Sequence, residues 1–195
     1  MGYNKGLLLT AMAVMLAGAA MADKNIYTLA KGYAVSISGT SNLHDWNETV
    51  GMLTGEGVME WNSDGSFDLT AVNIKMVVTS IKSKEGAAMN NNTYKALKSD
   101  NNPDITFVLV TPVKSIPANG RPVAAKINLS IAGVTRAIDM EVTATSQGHG
   151  NVTFEGSKTI KMTDYGIKPP VALFGTLKTG DEITIHFKTS FGVNK

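Results

Sequence analysis

Apolar and polar residues alternate along two neighbouring stretches of the chain, residues 123–131 and 138–145. Successive side chains of a strand point to opposite faces, so the apolar side chains of each stretch share one face. Between them lies Gly133-Val134, a pair typical of a two-residue type II′ turn with glycine first. The pattern predicts a β-hairpin over residues 123–145. Its predicted cross-strand pairs are Leu129 with Ile138, Ile127 with Met140, and Lys126 with Glu141.

Similar alternation recurs at hairpin spacing along most of the chain. The further predicted strands cover residues 33–38, 53–61, 66–78, 105–110, 151–162 and 181–191. Within 66–78 the apolar positions are odd-numbered up to Ala71 and even-numbered from Val72, so one extra residue near Ala71 is needed to keep both sets on one side. The sequence therefore predicts a β-bulge near Ala71.

One segment has helical rather than strand periodicity. In residues 83–100, Met89, Tyr94 and Leu97 share one face while Lys95 and Lys98 point away from it. Residues 105–110 are apolar on both faces, which predicts a strand whose outer face is covered by this helix or by a partner. We therefore expect one short helical insertion after the third strand.

About eight long antiparallel strands with one apolar face must close on themselves or pack on a second sheet. Glycines and a bulge favour curling, and eight strands enclose an interior that side chains fill or that holds one slender ligand. The predicted fold class is an all-β, about eight-stranded antiparallel barrel with a short helical insertion.

The beginning of the chain has the pattern of a secretory signal peptide. Lys5 precedes an apolar run over residues 7–16, and Ala20-Met21-Ala22 forms an A-x-A cleavage site. The run is shorter than the roughly 20 residues that cross a bilayer. We expect residues 1–22 to be removed after Ala22, leaving one domain over residues 23–195, periplasmic or secreted.

Charge and cysteine content exclude several classes of protein. The mature chain would have one lysine fewer than the 18 basic residues of the whole chain, against 16 acidic residues, a net charge of +1. Such a balance argues against a nucleic-acid partner. The chain has no cysteine, so packing and sheet hydrogen bonds must stabilise it without disulfides.

Residues that could carry chemistry are few. The sequence has no nucleophile elbow, phosphate-binding loop or zinc-binding helix motif, and it predicts no cofactor and no metal site. Its histidines are His44, His149 and His186. The pair His44-Asp45 is a candidate for metal binding or acid–base catalysis, and the competing interpretation is a loop in which polar side chains bond to nearby backbone.

Lysines are concentrated near the helical insertion. Two interpretations remain open, a solvated rim and a weak, transient contact with a membrane surface. The residues concerned are Lys75, Lys82, Lys84, Lys95 and Lys98.

Strand phase predicts which apolar side chains point inward. They form either a dry core or the wall of a tunnel for an apolar ligand, and the sequence leaves both open. The candidate ligand-binding residues are Phe107, Leu109, Ile127, Leu129, Ile131, Met140, Val142, Phe154, Ile160, Ile183, Ile185 and Phe187.

Several motifs in one order resemble the YceI-like family of exported proteins. They are residues 39–46 (GTSNLHDW), 94–97 (YKAL), 103–107 (PDITF), 131–136 (IAGVTR) and 161–170 (KMTDYGIKPP). The resemblance covers nearly the whole mature chain. It implies an extended lipocalin-like antiparallel barrel that holds a long isoprenoid lipid in its apolar bore, without known catalytic machinery.

The leading hypothesis is a non-catalytic periplasmic binding or carrier protein for an isoprenoid or other long-chain apolar lipid. The alternatives are a small outer-membrane barrel, a hydrolase-type enzyme that uses His44 and Asp45, and a structural or stress-response protein without a ligand. The identity of the lipid and the oligomeric state, a homodimer included, are left open by the sequence.

Overall fold

The computed structural model describes residues 25–146, 148, 150–172 and 175–193. The predicted signal peptide and His149 lie outside the described residues. None of the helices within these ranges is long and apolar enough to cross a membrane.

The described chain forms thirteen strands in one connected sheet system. The strands are β1 Ile26–Leu29, β2 Ala34–Ser41, β3 Trp46–Val50, β4 Leu53–Trp61, β5 Ser66–Val77, β6 Ile81–Ser83, β7 Asp104–Leu109, β8 Val113–Pro117, β9 Asn119–Ile131, β10 Val134–Ser146, β11 Asn151–Lys161, β12 Val171–Ala172 and β13 Leu177–Val193. The helices are α1 Ala87–Ala96 and two 3-10 helices, Val78–Ser80 and Met162–Tyr165.

Eight of these strands close into an antiparallel barrel, which confirms the predicted fold class. Their order is β1-β4-β5-β7-β9-β10-β11-β13, and β13 pairs again with β1. Tyr27 of β1 closes the ring because it lies opposite Gly57 of β4 on one side and Val193 of β13 on the other. Because β1 pairs with both β4 and β13, neither β1 nor β13 has a free edge where the ring closes.

The two ends of the barrel are built differently. At what we call the upper end, β13 pairs with β2, β2 with β3, and β3 with β6, so these shorter strands extend the wall. Helix α1 packs there against β6 and the 3-10 helix Val78–Ser80. The lower end holds Phe67, Val152 and Phe191, all with 1% or less of their surface exposed.

The β9–β10 hairpin exists, but its predicted register is wrong by two residues. The turn residues are Ala132 and Gly133, with φ of +50° and +85°, as a type I′ turn requires of both central residues. A shift of two preserves the face of every side chain. The observed pairs are Leu129 with Arg136, Ile127 with Ile138, Lys126 with Asp139, and Met140 with Ala125.

The predicted bulge in β5 is confirmed. Val58 pairs with Ala71 but Met59 pairs with Leu69, which leaves Thr70 as the extra residue. Leu69 and Val72 are consequently both buried on the inner side. The bulge thus converts a change of sequence phase into a continuous apolar wall.

Three expectations about segments differ from the structure. The helix covers Ala87–Ala96 rather than residues 83–100, and the last strand, β13, begins at Leu177 rather than at residue 181. Helix α1 does not cover β7, whose outward residue Val108 is 38% exposed, as is the following Val110 at 41%; cover by a partner stays a prediction. The helix instead packs beside β6.

Candidate functional site: an apolar cavity inside the barrel

A cavity occupies the interior of the barrel. Its volume is about 210 Å³, and its lining comes from β2 to β5, β7, β9 to β13, α1 and the 3-10 helix Met162–Tyr165. The lining is predominantly apolar because the inward positions of these strands are Val, Ile, Leu, Met and Phe. Large ligand pockets in proteins have this composition.

The inward-pointing residues predicted from strand phase are all found in the cavity wall. In the β9–β10 hairpin this holds despite the register error, because a shift of two residues preserves side-chain direction. Ligand binding by these residues stays a prediction. The residues are Phe107, Leu109, Ile127, Leu129, Ile131, Met140, Val142, Phe154, Ile160, Ile183, Ile185 and Phe187.

Aromatic side chains form the floor of the cavity at the lower end. The rings of Phe67 and Phe154 are 6.1 Å apart and those of Phe154 and Phe191 5.9 Å apart, both edge to face. Trp61 extends this row, with its ring 5.2 Å from that of Phe67. Such contacts are favourable beyond the area that they bury, so the floor is a packed cluster.

At the upper end the wall between β10 and β11 changes character. The ladder joins residues 142–146 to 152–156 and goes no further toward the upper end in the described chain. Side chains span the remaining distance, because Lys158 Nζ donates to the Asp139 carbonyl at 2.6 Å and Arg136 Nε to the Asp164 carbonyl at 2.9 Å. The 3-10 helix Met162–Tyr165 packs against β10, β11 and β13 there.

The cavity meets solvent at this upper end. Val171 lines the cavity and is 62% exposed. Asn92 of α1 also belongs to the lining and is exposed. We take this end, beside α1 and β12, as the opening of the cavity.

Glu48 is a buried carboxyl in the cavity wall. Its side chain on β3 is 2% exposed, and Thr93 Oγ1 of α1 donates to its Oε1 at 2.5 Å. Burial raises the pKa of Glu48, the Thr93 hydrogen bond opposes that shift, and the charge of Glu85 adds to it. The Glu48 carboxyl thus provides one hydrogen bond between the barrel wall and α1.

Tyr165 is another ionisable residue in the cavity wall that the sequence did not single out. Its side chain is 1% exposed, and its hydroxyl has no hydrogen-bond partner in the described part of the protein. Burial raises the pKa of Tyr165, the charge of Asp164 adds to the shift, and Arg136 opposes it.

The sequence carried a signal for Glu48 but none for Tyr165. Glu48 and Val50 are two residues apart and therefore share a face of β3, and Val50 is buried. Tyr165 lies in a 3-10 turn, where no strand or helix period applies. Its position could be found only from the three-dimensional structure.

The loop that contains His44 and Asp45 is organised by backbone hydrogen bonds. Ser41 Oγ accepts from the amides of Leu43 and His44 at 3.2 and 3.1 Å and donates to the His44 carbonyl at 2.7 Å. His44 Nδ1 lies 2.8 Å from the Asp45 carbonyl oxygen and 3.7 Å from Glu85 Oε1. This geometry matches the loop interpretation of the motif.

Within the described ranges, no three His, Asp or Glu side chains are grouped so that they could hold a metal ion. His186 is exposed on the outer face of β13. The structure therefore brings neither histidine into the cavity wall.

The lysines near the insertion are exposed, but two of them have partners. Lys75 Nζ lies 3.2 Å from Asp104 Oδ2, and Lys82 Nζ donates to Tyr94 Oη at 2.5 Å. Lys84, Lys95 and Lys98 are exposed on or beside α1. They place positive charge at the same end as the opening of the cavity.

A closed eight-stranded barrel around an apolar cavity is the architecture of proteins that enclose one small or slender ligand. The model of the YceI-like domain matches residues 29–191. The chain therefore belongs to the YceI-like family, as its motifs indicated.

Solved structures with the same fold come from several bacteria. The polyisoprenoid binding domain from Saccharophagus degradans, implicated in plant cell wall breakdown, is 13% identical with a TM-score of 0.68, over 86% of this chain and 98% of that one. Burkholderia cenocepacia BcnA is 18% identical with a TM-score of 0.62, over 81% and 95% of the two chains. The Campylobacter jejuni YCEI protein is 15% identical with a TM-score of 0.57, over 76% and 85%. No curated protein sequence matches the chain.

Proposed function

We propose that this protein is a non-catalytic binding or carrier protein that holds an isoprenoid or other long-chain apolar lipid in the barrel cavity. The observation that carries the proposal is the apolar cavity, closed by aromatic residues below and reaching solvent above. Membership of the YceI-like family and the likeness to a polyisoprenoid binding domain support the same class of ligand.

The energetics of the cavity suit such a ligand. Each 100 Å² of apolar surface removed from water contributes about 2.5 kcal/mol. A long hydrocarbon chain therefore gains affinity from burial alone, and the width and depth of the cavity set its specificity. The ordered loop around His44 supplies no comparable feature for a catalytic proposal.

The outer wall has the opposite composition. Lys126, Glu141 and Lys188 are exposed, and Lys188 Nζ lies 2.7 Å from Glu155 Oε1. A barrel that crosses an outer membrane has its apolar side chains outside and polar ones within. The distribution of charge therefore favours binding inside the barrel over the outer-membrane alternative.

The proposal places the protein in the periplasm or outside the cell. The sequence supports this through the signal-peptide pattern of residues 1–22. Lys84, Lys95 and Lys98 near the cavity opening support transient contact with an anionic membrane surface during lipid exchange. Amino-terminal sequencing of protein from its native host would test the location, with Asp23 as the expected first residue.

The direct test is to extract the natively expressed protein with organic solvent and to identify the extract by mass spectrometry. We expect one long-chain apolar lipid, near one equivalent per chain. The control is Ile127→Trp, which fills the cavity and should reduce the recovered lipid. Extracts without lipid from wild-type protein, together with no binding of added prenyl compounds, would contradict the proposal.

A further inference from the structure

The hydroxyl of Tyr165 is a hydrogen-bonding group without a partner in the described protein. The side chain is 1% exposed and lines the cavity, and no described group bonds to Oη. Buried tyrosine hydroxyls are normally hydrogen-bonded, because an unsatisfied one destabilises the fold. Phenylalanine would fill the same space without that penalty, so the hydroxyl needs another explanation.

The other described tyrosines differ from Tyr165 in this respect. Tyr33 Oη donates to the Gly51 carbonyl and accepts from the Leu53 amide, and Tyr94 Oη bonds to backbone carbonyls beside α1. Tyr27 Oη accepts from Trp61 Nε1 at 2.8 Å. None of these three lines the cavity.

The segment around Tyr165 is fixed on several sides. The Ile167 amide donates to the Met162 carbonyl at 3.1 Å, and Thr163 donates through its amide and hydroxyl to Asp181 at 2.9 and 2.6 Å. Arg136 holds the Asp164 carbonyl. These contacts fix the backbone of the 3-10 helix, and the phenol hydroxyl has no hydrogen-bond partner in the described protein. A binding group held in this way is preorganised, which lowers the cost of ordering it when a ligand binds.

We propose that the Tyr165 hydroxyl donates a hydrogen bond to the polar end of the bound lipid, and that this end is a neutral oxygen acceptor, a carbonyl or an alcohol. The inference rests on the proposed function and adds the chemistry of the ligand's end group. It also orients the ligand, with its oxygen at the upper end and its apolar chain toward the aromatic floor.

The surrounding charges favour a neutral group over an anion. The phenol stays protonated at neutral pH because burial raises its pKa, so it can donate. Lys158 is the basic residue in the lining, and its Nζ already donates to the Asp139 carbonyl. Near Tyr165, Asp164 and Arg136 have opposite charges. Glu48, elsewhere in the wall, would repel an anion when ionised, and burying an unpaired charge is costly.

The test compares four probes that share the farnesyl group on the full mature chain: farnesene, farnesol, farnesyl acetone and farnesyl diphosphate. Binding is measured by calorimetry to wild type, Tyr165→Phe and the control Tyr33→Phe. For wild type and Tyr33→Phe we expect the alcohol and ketone to bind about five- to tenfold more tightly than the hydrocarbon, the range that one hydrogen bond gives. Tyr165→Phe should lose that preference and retain its affinity for farnesene.

A preference for the oxygenated probes that persists in Tyr165→Phe would overturn the inference, as would tightest binding of the diphosphate. Failure of every probe to bind wild type would overturn the proposed function as well, so the two failures are distinguishable. A second measurement does not depend on how the variants bind the probes. The carbon-13 NMR signal of the Tyr165 ring carbon that bears oxygen should shift with farnesyl acetone and not with farnesene, and equal shifts would count against the proposal.

Discussion

Thr93 on α1 donates a 2.5 Å hydrogen bond to the buried carboxylate of Glu48 on β3. No residue of α1 is fully buried, and polar contacts help to hold the helix beside the opening: this bond, those from Tyr94 Oη to the carbonyls of Thr79 and Ile81, and one from the Ser83 amide to Asn90 Oδ1. The helix is therefore attached by these contacts and by half-buried side chains that pack on the core, rather than by a fully buried apolar face.

Loss of the Thr93 hydroxyl should loosen α1. Thr93→Val preserves shape but leaves the buried Glu48 carboxyl without its donor, and an unsatisfied buried polar group costs about 1–3 kcal/mol. We expect faster amide hydrogen exchange in residues 87–96, measured by mass spectrometry. Thr70→Val, at the bulge of β5, is the control because its hydroxyl bonds to the Val58 carbonyl away from α1. Equal protection of α1 in wild type and Thr93→Val would refute the assignment.

Glu48 should make stability depend on pH. Burial raises its pKa in the folded state above the ordinary value of 4.5, so between these two values the folded protein holds a proton that the unfolded chain releases. The contribution to stability is present below pH 4.5 and is lost as pH rises through the folded-state pKa. Glu48→Gln should flatten this slope in urea unfolding measured at successive pH values. An unchanged slope would show that Glu48 titrates normally.

Asp68 should have the opposite dependence. Its pKa is lowered from 3.8 to about 2, first by the hydrogen bond from Lys114 and then by the amide of Ser115. The contribution to stability is therefore present above pH 3.8 and is lost as pH falls toward 2. Asp68→Asn should reduce the loss of stability between pH 4 and pH 2 in thermal melts. Equal losses of stability in wild type and Asp68→Asn over this range would contradict the role of the Lys114 and Ser115 contacts.

A large side chain that fills the cavity should weaken lipid binding, whereas the same side chain on the outer wall should not. Ile127 is 1% exposed and faces inward, whereas the preceding Lys126 faces outward. Ile127→Trp should weaken binding of a prenyl probe at least tenfold and destabilise the fold by about 1–3 kcal/mol. Lys126→Trp introduces the same side chain on the opposite face and should change neither. Equal binding by both variants would place the ligand elsewhere.

Gly39 should be intolerant of any side chain. A Cβ there would lie 2.3 Å from Cζ2 of Trp46, whose Nε1 already donates to the Thr40 carbonyl at 3.1 Å. Gly39→Ala should therefore destabilise the fold by about 1–3 kcal/mol, measured by urea unfolding. Gly150→Ala is the matched control, because a Cβ there has no neighbour within 4 Å. Similar midpoints for the two variants would contradict the packing described for Trp46.

The sequence predicted side-chain direction better than strand register. Direction follows from a period of two along each strand, which is local, and it located the inward residues and the bulge beside Ala71. The hairpin register depended on the turn, and the turn requires positive φ at Ala132, which is uncommon for a residue with a side chain. The sequence around Gly133 does not indicate a positive φ at Ala132.

Polar residues in the cavity wall were harder to predict for a different reason. An inward Glu48 interrupts the apolar pattern that identifies a wall, and Tyr165 lies in a 3-10 turn where no such pattern applies. Glu48 is accommodated by the hydroxyl of Thr93, 45 residues away in the chain. Long-range compensation of this kind has no local signature.

The aromatic floor formed by Phe154 and Phe191 also has a kinetic consequence. A barrel closed below offers a ligand the same passage for arrival and departure, at the end where Val171 is exposed. A change that only narrows this passage lowers the association and dissociation rate constants by the same factor, and one that only widens it raises both. Kd is unchanged in either case. Residues near the entrance therefore set how quickly the lipid is exchanged, and residues along the wall set how tightly it is held.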